Sequence, residues 1–380
     1  MSDVQILHPA ELAPVDAQAW REIAAEAPAF ANPLLGPDFA QAVGAVRPDA
    51  RVAVWRRGGK PAAFLPHHPA PSGLVRPIGG ALSDYHALIS RGQRGLSGPA
   101  LLGEAGLDGW RYTGLVDPHG LFKPATTREA HRIVLDGDAQ AYLEAVRAGS
   151  PKKFKNYRRL DHKLEREVGE LTLVARDVSQ ASFDRLLAWK ADQLRLTGAF
   201  DFLRPAWTPA LLQNLFERRS GELQGLMICL YAGGRLAAGQ FGVRLGDVYH
   251  PWIASTDPDL AAWSPGQLFL LRAIEIMPAL GLETYDLGPG HDHYKRPYAL
   301  IQVAIGEGAA LAPNAGWLPG AIEGAWSLAG ASRGGVMQRV RRRIDAISAA
   351  ETTSTARVRG VLAAAAARAT RPRASAGPLE

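Results

Sequence analysis

The chain has 380 residues, 47% hydrophobic and 21% charged, a globular balance that excludes a disordered polymer and leaves room for two domains. Its net charge of +6 belongs to one end, since residues 329–380 carry +7 and residues 1–328 carry −1. A body this close to neutral excludes DNA binding over the whole surface. Residues 1–14 hold neither a basic nor an apolar leader segment, and no apolar run reaches the ~18 residues of a spanning helix. The expected location is cytoplasmic, with the inner face of the membrane as an alternative. Along the chain, residues 16–27 and 39–46 read as amphipathic helices. Residues 51–56 and 62–65 read as strands joined by a tight turn at Gly58-Gly59. Strand patterns recur at 107–115 and 131–135, which predicts a small α/β unit ending near residue 136.

The next segment repeats this plan at larger scale. Helices are expected over 138–148 and, opened by Pro151, over 151–167; a strand follows over 170–176 and a helix over 183–196. Thr208 opens a further helix with Pro209 in its first turn. Strands at 223–232, 236–245 and 248–255 form a meander through the turns Gly233-Gly234 and Gly246-Asp247. A helix over 265–280 then leads to a strand at 283–287. Helices, hairpin strands, one helix and one strand make an α+β order. Beyond about residue 312, Gly, Ala, Ser and Arg dominate. A short basic helix is expected over 339–350, and 351–380 has few large apolar side chains to bury, a composition of flexible chain. Cys229, the only cysteine, lies in the apolar run 226–231 and reads as a small buried hydrophobe.

The most informative stretch runs from Asp247 to Tyr298. Ser264 suits an N-cap and Pro265 the first helical position, while Gly266 removes a side chain where a ligand could approach the backbone. Amide groups over Ser264, Pro265, Gly266 and Gln267 would favour a phosphate or diphosphate, against the plainer reading of a well-capped helix. His291 and His293 flank Asp292, but i and i+2 positions share no helix face and no third ligand is near, so no metal is expected.

Several motifs in order carry a resemblance. Trp263-Ser264-Pro265-Gly266, the run Gly281 to Leu287, Gly288-Pro289-Gly290 and Tyr294-Lys295 resemble the CelD/BcsL-type acetyltransferases of the GNAT superfamily, linked with cellulose, holdfast and other exopolysaccharide biosynthesis. Lys155 to Arg159 with Leu164 to Gly169 is similar to that family's basic helix, and Gly234 to Gly239 resembles a GNAT hairpin. Asn32-Pro33-Leu34 and Ser83-Asp84-Tyr85 match more loosely, as a degenerate first half. The resemblance implies tandem GNAT-like domains: 1–136, a degenerate N-terminal unit; 137–311, the C-terminal GNAT domain; and 312–380, an Arg-rich tail. It implies acetyl-CoA as donor, with its arm in a splay between strands 248–255 and 283–287 and its diphosphate at Ser264–Gln267. The helix start lacks the glycine-rich signature of ordinary GNAT enzymes. The implied acceptor is a saccharide or lipid-linked sugar, attacked through an amine or hydroxyl. An aminoacyl-tRNA-dependent transferase of the peptidoglycan-bridge type and a degenerate, nucleotide-regulated scaffold are the alternatives.

Acyl transfer needs a proton acceptor for the nucleophile and a donor for the leaving thiolate. Asp286 is the candidate to orient the acceptor or act as base, Tyr294 the general acid, and Lys295 the anchor of an anionic group. The plainer alternatives are a turn cap, a packing aromatic and a surface charge. His250 and Trp252 share one strand face and could wall a sugar, with His86 a further acceptor-side candidate. Lys155 and Arg158 belong to a basic stretch of five cations over 152–159, either a solvated helix face or an electropositive rim. In the tail, Arg339, Arg341, Arg342 and Arg343 suit phosphate recognition. A free end, an anionic membrane surface and a cyclic dinucleotide compete as their setting. The Arg339-x-x-x-Arg343 spacing resembles part of a cyclic di-GMP signature whose companion element is absent.

Overall fold

Turn glycines fix the hairpins on which the sheet is built. Gly58 and Gly59 (φ +56° and +76°) and Gly233 and Gly234 (φ +55° and +78°) occupy left-handed backbone, which two-residue turns between right-twisted strands require. The computed structural model describes residues 3–92, 95–290, 295–331 and 335–369. The chain begins with β1 (Asp3–Leu7), α1 (Pro14–Ala25), α2 (Pro37–Gly44), β2 (Arg51–Arg57), β3 (Lys60–His68) and β4 (Leu74–Pro77). It continues through β5 (Ile89–Ser90), α3 (Gly98–Glu104), β6 (Gly109–Leu115) and β7 (Thr126–Val134). Next come α4 (Ala139–Gly149), α5 (Pro151–Val168), β8 (Leu171–Val174), α6 (Gln180–Thr197) and α7 (Trp207–Glu217). The meander β9 (Leu223–Ala232), β10 (Arg235–Leu245) and β11 (Val248–Thr256) leads to α8 (Pro265–Ile276) and β12 (Thr284–Pro289). After β13 (Ile301–Leu311) come α9 (Trp317–Leu328), α10 (Gly335–Ala350) and α11 (Ser354–Ala369).

Among the described residues the strands form one sheet in the order β1-β2-β3-β4-β6-β13-β7-β12-β11-β10-β9-β8, with β5 beside β3. The two halves follow one plan. In each, hairpin strands feed a helix that returns a strand parallel to the last of them: β4 with β6 around α3, and β11 with β12 around α8. This is a tandem GNAT-like α+β architecture. The strand β13, which the sequence pattern does not announce, runs antiparallel to both β6 and β7 and closes the sheet between the halves.

Side-chain alternation sets the layers. Phe241 and Val243 of β10 join α6, α7, α1 and α2 in one core. On the opposite face Tyr249, Tyr285 and Ala238 pack with α4, α5 and α8. Helix α5 buries Phe154, Tyr157, Leu160 and Leu164, a stripe at helical spacing, and leaves its basic residues outward. Cys229 is fully buried in β9, and burial pushes its thiol well above the usual range. Among the described residues no helix is long and apolar enough to cross a membrane.

The basic end departs from the expectation of loose chain. The helix expected at 339–350 is present as α10, and α11 covers much of the stretch read as flexible. The last turn of α10 is held by the first half and by α7: Arg47 donates to the carbonyl of Ala349 at 3.1 Å and Trp207 to that of Ala350 at 2.8 Å, satisfying carbonyls a helix end leaves open. Asp345 is buried and receives Arg76 at 2.6 Å and Arg111 at 3.0 Å. Burial would raise its pKa, but the charges of Arg76, Arg111 and Arg341 outweigh that and hold it below the ordinary carboxylate range. Replacing Asp345 by Ala strands these guanidinium groups, and we expect a loss of about 3 kcal/mol in unfolding free energy. Denaturant titration measures it; an unchanged midpoint would show that α10 is held by other contacts.

Candidate active site

The parallel pair β11–β12 lasts for two residues, Val248 with Thr284 and Tyr249 with Tyr285, and then the strands part. Alternation turns Tyr249 and Tyr285 toward α8, so the next residues, His250 and Asp286, face the first half of the chain where the strands separate. Asp286 is fully buried. It accepts hydrogen bonds from Tyr85 Oη (2.6 Å), Arg132 Nε (2.8 Å), the Gly288 amide (2.9 Å) and Asn32 Nδ2 (3.2 Å). His250, equally buried, has Nε2 3.1 Å from Asp84 Oδ2, and Nδ1 3.8 Å from Asp286 Oδ1, a charge contact rather than a hydrogen bond. At Gly288 (φ +71°) a Cβ would lie 3.3 Å from both Asp84 Oδ2 and His250 Cε1, so a side chain there would press on the pair.

The charges of this chain set its protonation. Burial disfavours the imidazolium of His250, but the carboxylates of Asp286 and Asp84 outweigh it and raise its pKa to about 9. Burial likewise works against the Asp286 carboxylate, yet His250, Arg132 and Tyr85 keep it ionised below the usual range. At neutral pH the buried pair is therefore an imidazolium beside a carboxylate. Asp84, the outer member of the Asp286–His250–Asp84 array, has a side chain 36% exposed. Asp84 opens into a cleft of about 190 Å³ lined also by Arg76, Arg111, Thr113, Arg128 and Arg342.

Residues 151–296 match the acetyltransferase (GNAT) domain family. This chain is an acyltransferase. The structure is similar to FemX at 11% identity, with 80% of this chain and 96% of that one covered and a TM-score of 0.50. It is also similar to the C-terminal domain (DUF2156) of a putative lysylphosphatidylglycerol synthetase from Agrobacterium fabrum, at 11% identity, 82% and 95% coverage and a TM-score of 0.46. A tandem GNAT protein from the clavulanic acid biosynthesis pathway aligns at 13% identity, 75% and 89% coverage and a TM-score of 0.42. No curated protein matches the sequence.

At the acyltransferase's α8 start the main-chain cradle is smaller than the sequence suggests. Ser264 is left-handed (φ +52°) and makes no side-chain cap, so it serves the helix through its carbonyl alone. That carbonyl takes the Gln267 amide at 2.9 Å. Pro265 has no N–H, which leaves Gly266 as the amide of Pro265–Gln267 with no main-chain partner among the described residues. The Gln267 side chain accepts from Tyr157 Oη (3.0 Å) and Tyr298 Oη (2.7 Å), turned toward α5 rather than to an anion. The parting of β11 and β12 beyond Tyr249 and Tyr285 remains.

Other expectations change with the geometry. Lys295 is buried, and its ammonium donates to the carbonyls of Leu287 (2.6 Å), Pro289 (3.1 Å) and Gly288 (3.3 Å), pinning the end of β12 instead of standing free for an anion. His86 is a structural residue. Its Nε2 accepts from the amides of Thr113 and Gly114, both at 3.0 Å, and burial lowers its pKa to about 3. Trp252 packs against Phe39 in the core, and His250 belongs to the buried array, so neither forms an exposed sugar wall. Lys155 and Arg158 lie on the solvent face of α5. Tyr294 and the His291–His293 stretch lie outside the described residues.

The tail arginines are not an open cluster. Arg341 binds Glu323, Arg342 binds Glu307 and Arg343 donates to the carbonyl of Gly198, while Arg339 is exposed. Sequence reading noticed Asn32 and the Ser83–Tyr85 run without assigning them roles, and it passed over Arg132 and Arg128. The signal available was two arginines four residues apart on one strand, a spacing that puts both on one face.

The raised pKa of His250 fixes the sign of a pH effect. Its contribution to stability is complete below the unfolded value near 6.5 and is lost as pH rises through about 9. We expect stability to fall by on the order of 3 kcal/mol between pH 6.5 and 10, and the fall to vanish in His250→Gln. Chemical denaturation across that range checks it; parallel curves for the two proteins would refute the imidazolium assignment.

Proposed function

We propose that the chain transfers an acyl group, acetyl in the first instance, from acyl-CoA to an amine or hydroxyl of a saccharide destined for a bacterial exopolysaccharide. In this reading residues 1–136 and 137–311 are the two GNAT-like halves. One observation carries it: the Asp286–His250–Asp84 array begins where β11 and β12 part and ends on a carboxylate at the cleft. A thioester arm lying in that parting brings its carbonyl near His250 and Asp286, and an acceptor in the cleft reaches it from the side of Asp84. Asp84 then takes the proton of the attacking amine or hydroxyl as the new C–N or C–O bond forms. His250, already protonated, does not serve as base; it holds Asp84 in place and offsets its charge. Collapse of the tetrahedral intermediate breaks the C–S bond and releases the thiolate, for which the sequence offers Tyr294 as proton donor. The saccharide and its polymer rest on the resemblance to the CelD/BcsL-type enzymes.

Calorimetry with acetyl-CoA and a thiol-release assay with glucosamine-type acceptors test the reading. Asp84→Asn is expected to lower kcat by about 10²–10³-fold while leaving acetyl-CoA affinity within twofold. Absence of heat with acetyl-CoA would point instead to an aminoacyl-tRNA donor, and full activity in Asp84→Asn would remove this residue from the chemistry. A chain that binds acetyl-CoA but transfers to nothing would leave the scaffold role.

A further inference from the structure

The cleft that Asp84 lines is walled by arginines of four separate segments. Arg76 comes from β4, Arg111 and Arg128 from β6 and β7, and Arg342 from α10. Lining the cleft are these four cations and two carboxylates, Asp84 and Asp345. Glu307 stands behind the wall and binds Arg111 at 3.1 Å and Arg342 Nε at 2.8 Å, offsetting one more charge. Arg76, Arg111 and Arg342 are thus matched in number by Asp84, Asp345 and Glu307.

Guanidinium donors nonetheless remain over. Every nitrogen of Arg111 is engaged: it reaches Asp345, Glu307 and the carbonyls of Tyr112 and Gly308. Arg76 spends one nitrogen on Asp345, and its Nε is buried with no hydrogen-bond partner among the described residues. Arg342 uses Nε and Nη2 on Glu307, so its Nη1 makes no bond among the described residues. A buried donor with no acceptor is uncommon enough to ask for a ligand.

We propose that this arginine wall is an acceptor subsite for a phosphate or diphosphate group, so that the saccharide is acylated while linked to phosphate. The proposal rests on the transfer reading above and names its substrate class. Guanidinium groups converging from different elements suit a tetrahedral, multiply charged oxyanion better than a single carboxylate. Asp84 repels such a group, so the phosphate settles toward Arg76 and Arg342 and the nucleophile toward Asp84. One substrate thus spans the cleft with its charged and reacting ends kept apart. Both a nucleotide-linked and a lipid-linked sugar carry this chemistry.

The test compares glucosamine, glucosamine 1-phosphate, UDP-glucosamine and a short-chain polyprenyl-diphosphate glucosamine as acceptors with acetyl-CoA, and adds calorimetry with inorganic pyrophosphate. The expected result is a kcat/KM at least tenfold higher for phosphorylated acceptors, carried by KM, with the last two acceptors deciding the source of the phosphate. Arg342→Gln should bring the ratio of phosphorylated to plain acceptor toward one and weaken pyrophosphate binding about tenfold. Its partner Glu307 keeps Arg111, and a thermal melt verifies that the variant is folded. Arg76→Gln, which also loosens α10, serves as the second variant. Equal use of plain and phosphorylated glucosamine, or an equal loss on both in Arg342→Gln, overturns the subsite and leaves the transfer reading intact. Pyrophosphate binding that depends on Arg342, without transfer to any acceptor, upholds an anion site and sinks the transfer reading. Neither binding nor transfer sinks both.

Discussion

A carboxylate with no access to water holds the two halves of this protein together. Asp286 sits on β12 in the second half, and Asn32 and Tyr85 reach it from the first half. Arg132 meets it from the strand that joins them. A buried charge is tolerated only when its hydrogen-bonding capacity and its charge are both met, and here four donors and a nearby imidazolium do so. The same requirement makes the contact specific. Sliding one half against the other would leave a carboxylate stranded at a cost of several kcal/mol, whereas an apolar interface would tolerate small slips. The geometry of the reacting groups is thereby fixed by the interaction that fixes the halves.

Ion pairs of a second kind build the far side of the cleft. Asp345 and Glu307 gather Arg76, Arg111 and Arg342, and helix α10 is part of the wall rather than an appendage. Of the charge that makes the tail basic in composition, Arg341 and Arg342 are paired inside the fold and Arg343 is held by a carbonyl, while Arg339 stays exposed. A reading of net charge by segment located it correctly but could not see which of it is paired, because only folding brings Glu323 to Arg341 and Glu307 to Arg342.

Much of the second half was legible in the residues. The meander from 223 to 256, the helix opened by Pro265 and the strand at 284 follow from alternation, turn glycines and a start signal, all local features. The strand β13 was not legible. Its sequence IQVAIGEGAAL is rich in small residues and contains Gly306 and Gly308, which argue against a strand when taken alone. In the fold they are needed, since a Cβ at Gly308 would lie 2.9 Å from the Ala125 amide and one at Gly306 2.9 Å from Pro124. The site was half legible for a similar reason. Asp286 stood out by its place in the expected strand at 283–287, and His250 by its strand face, but what makes them a unit is Asp84, Tyr85 and Asn32, which contribute only through packing of distant segments. His86 and Lys295 looked chemical in sequence and prove structural, because both spend their polar atoms on the main chain.

The position of β13 bears on how the molecule is made. Strand β6 is complete at residue 115 and β7 at residue 134, yet the edge each offers the other is filled only by residues 301–311. During synthesis the first half therefore waits, with open strand edges, for nearly half of the chain to emerge. Such long-range pairing slows assembly and exposes it to wrong partners. A ribosome stalled before residue 301 would hold a nascent chain whose central sheet cannot close.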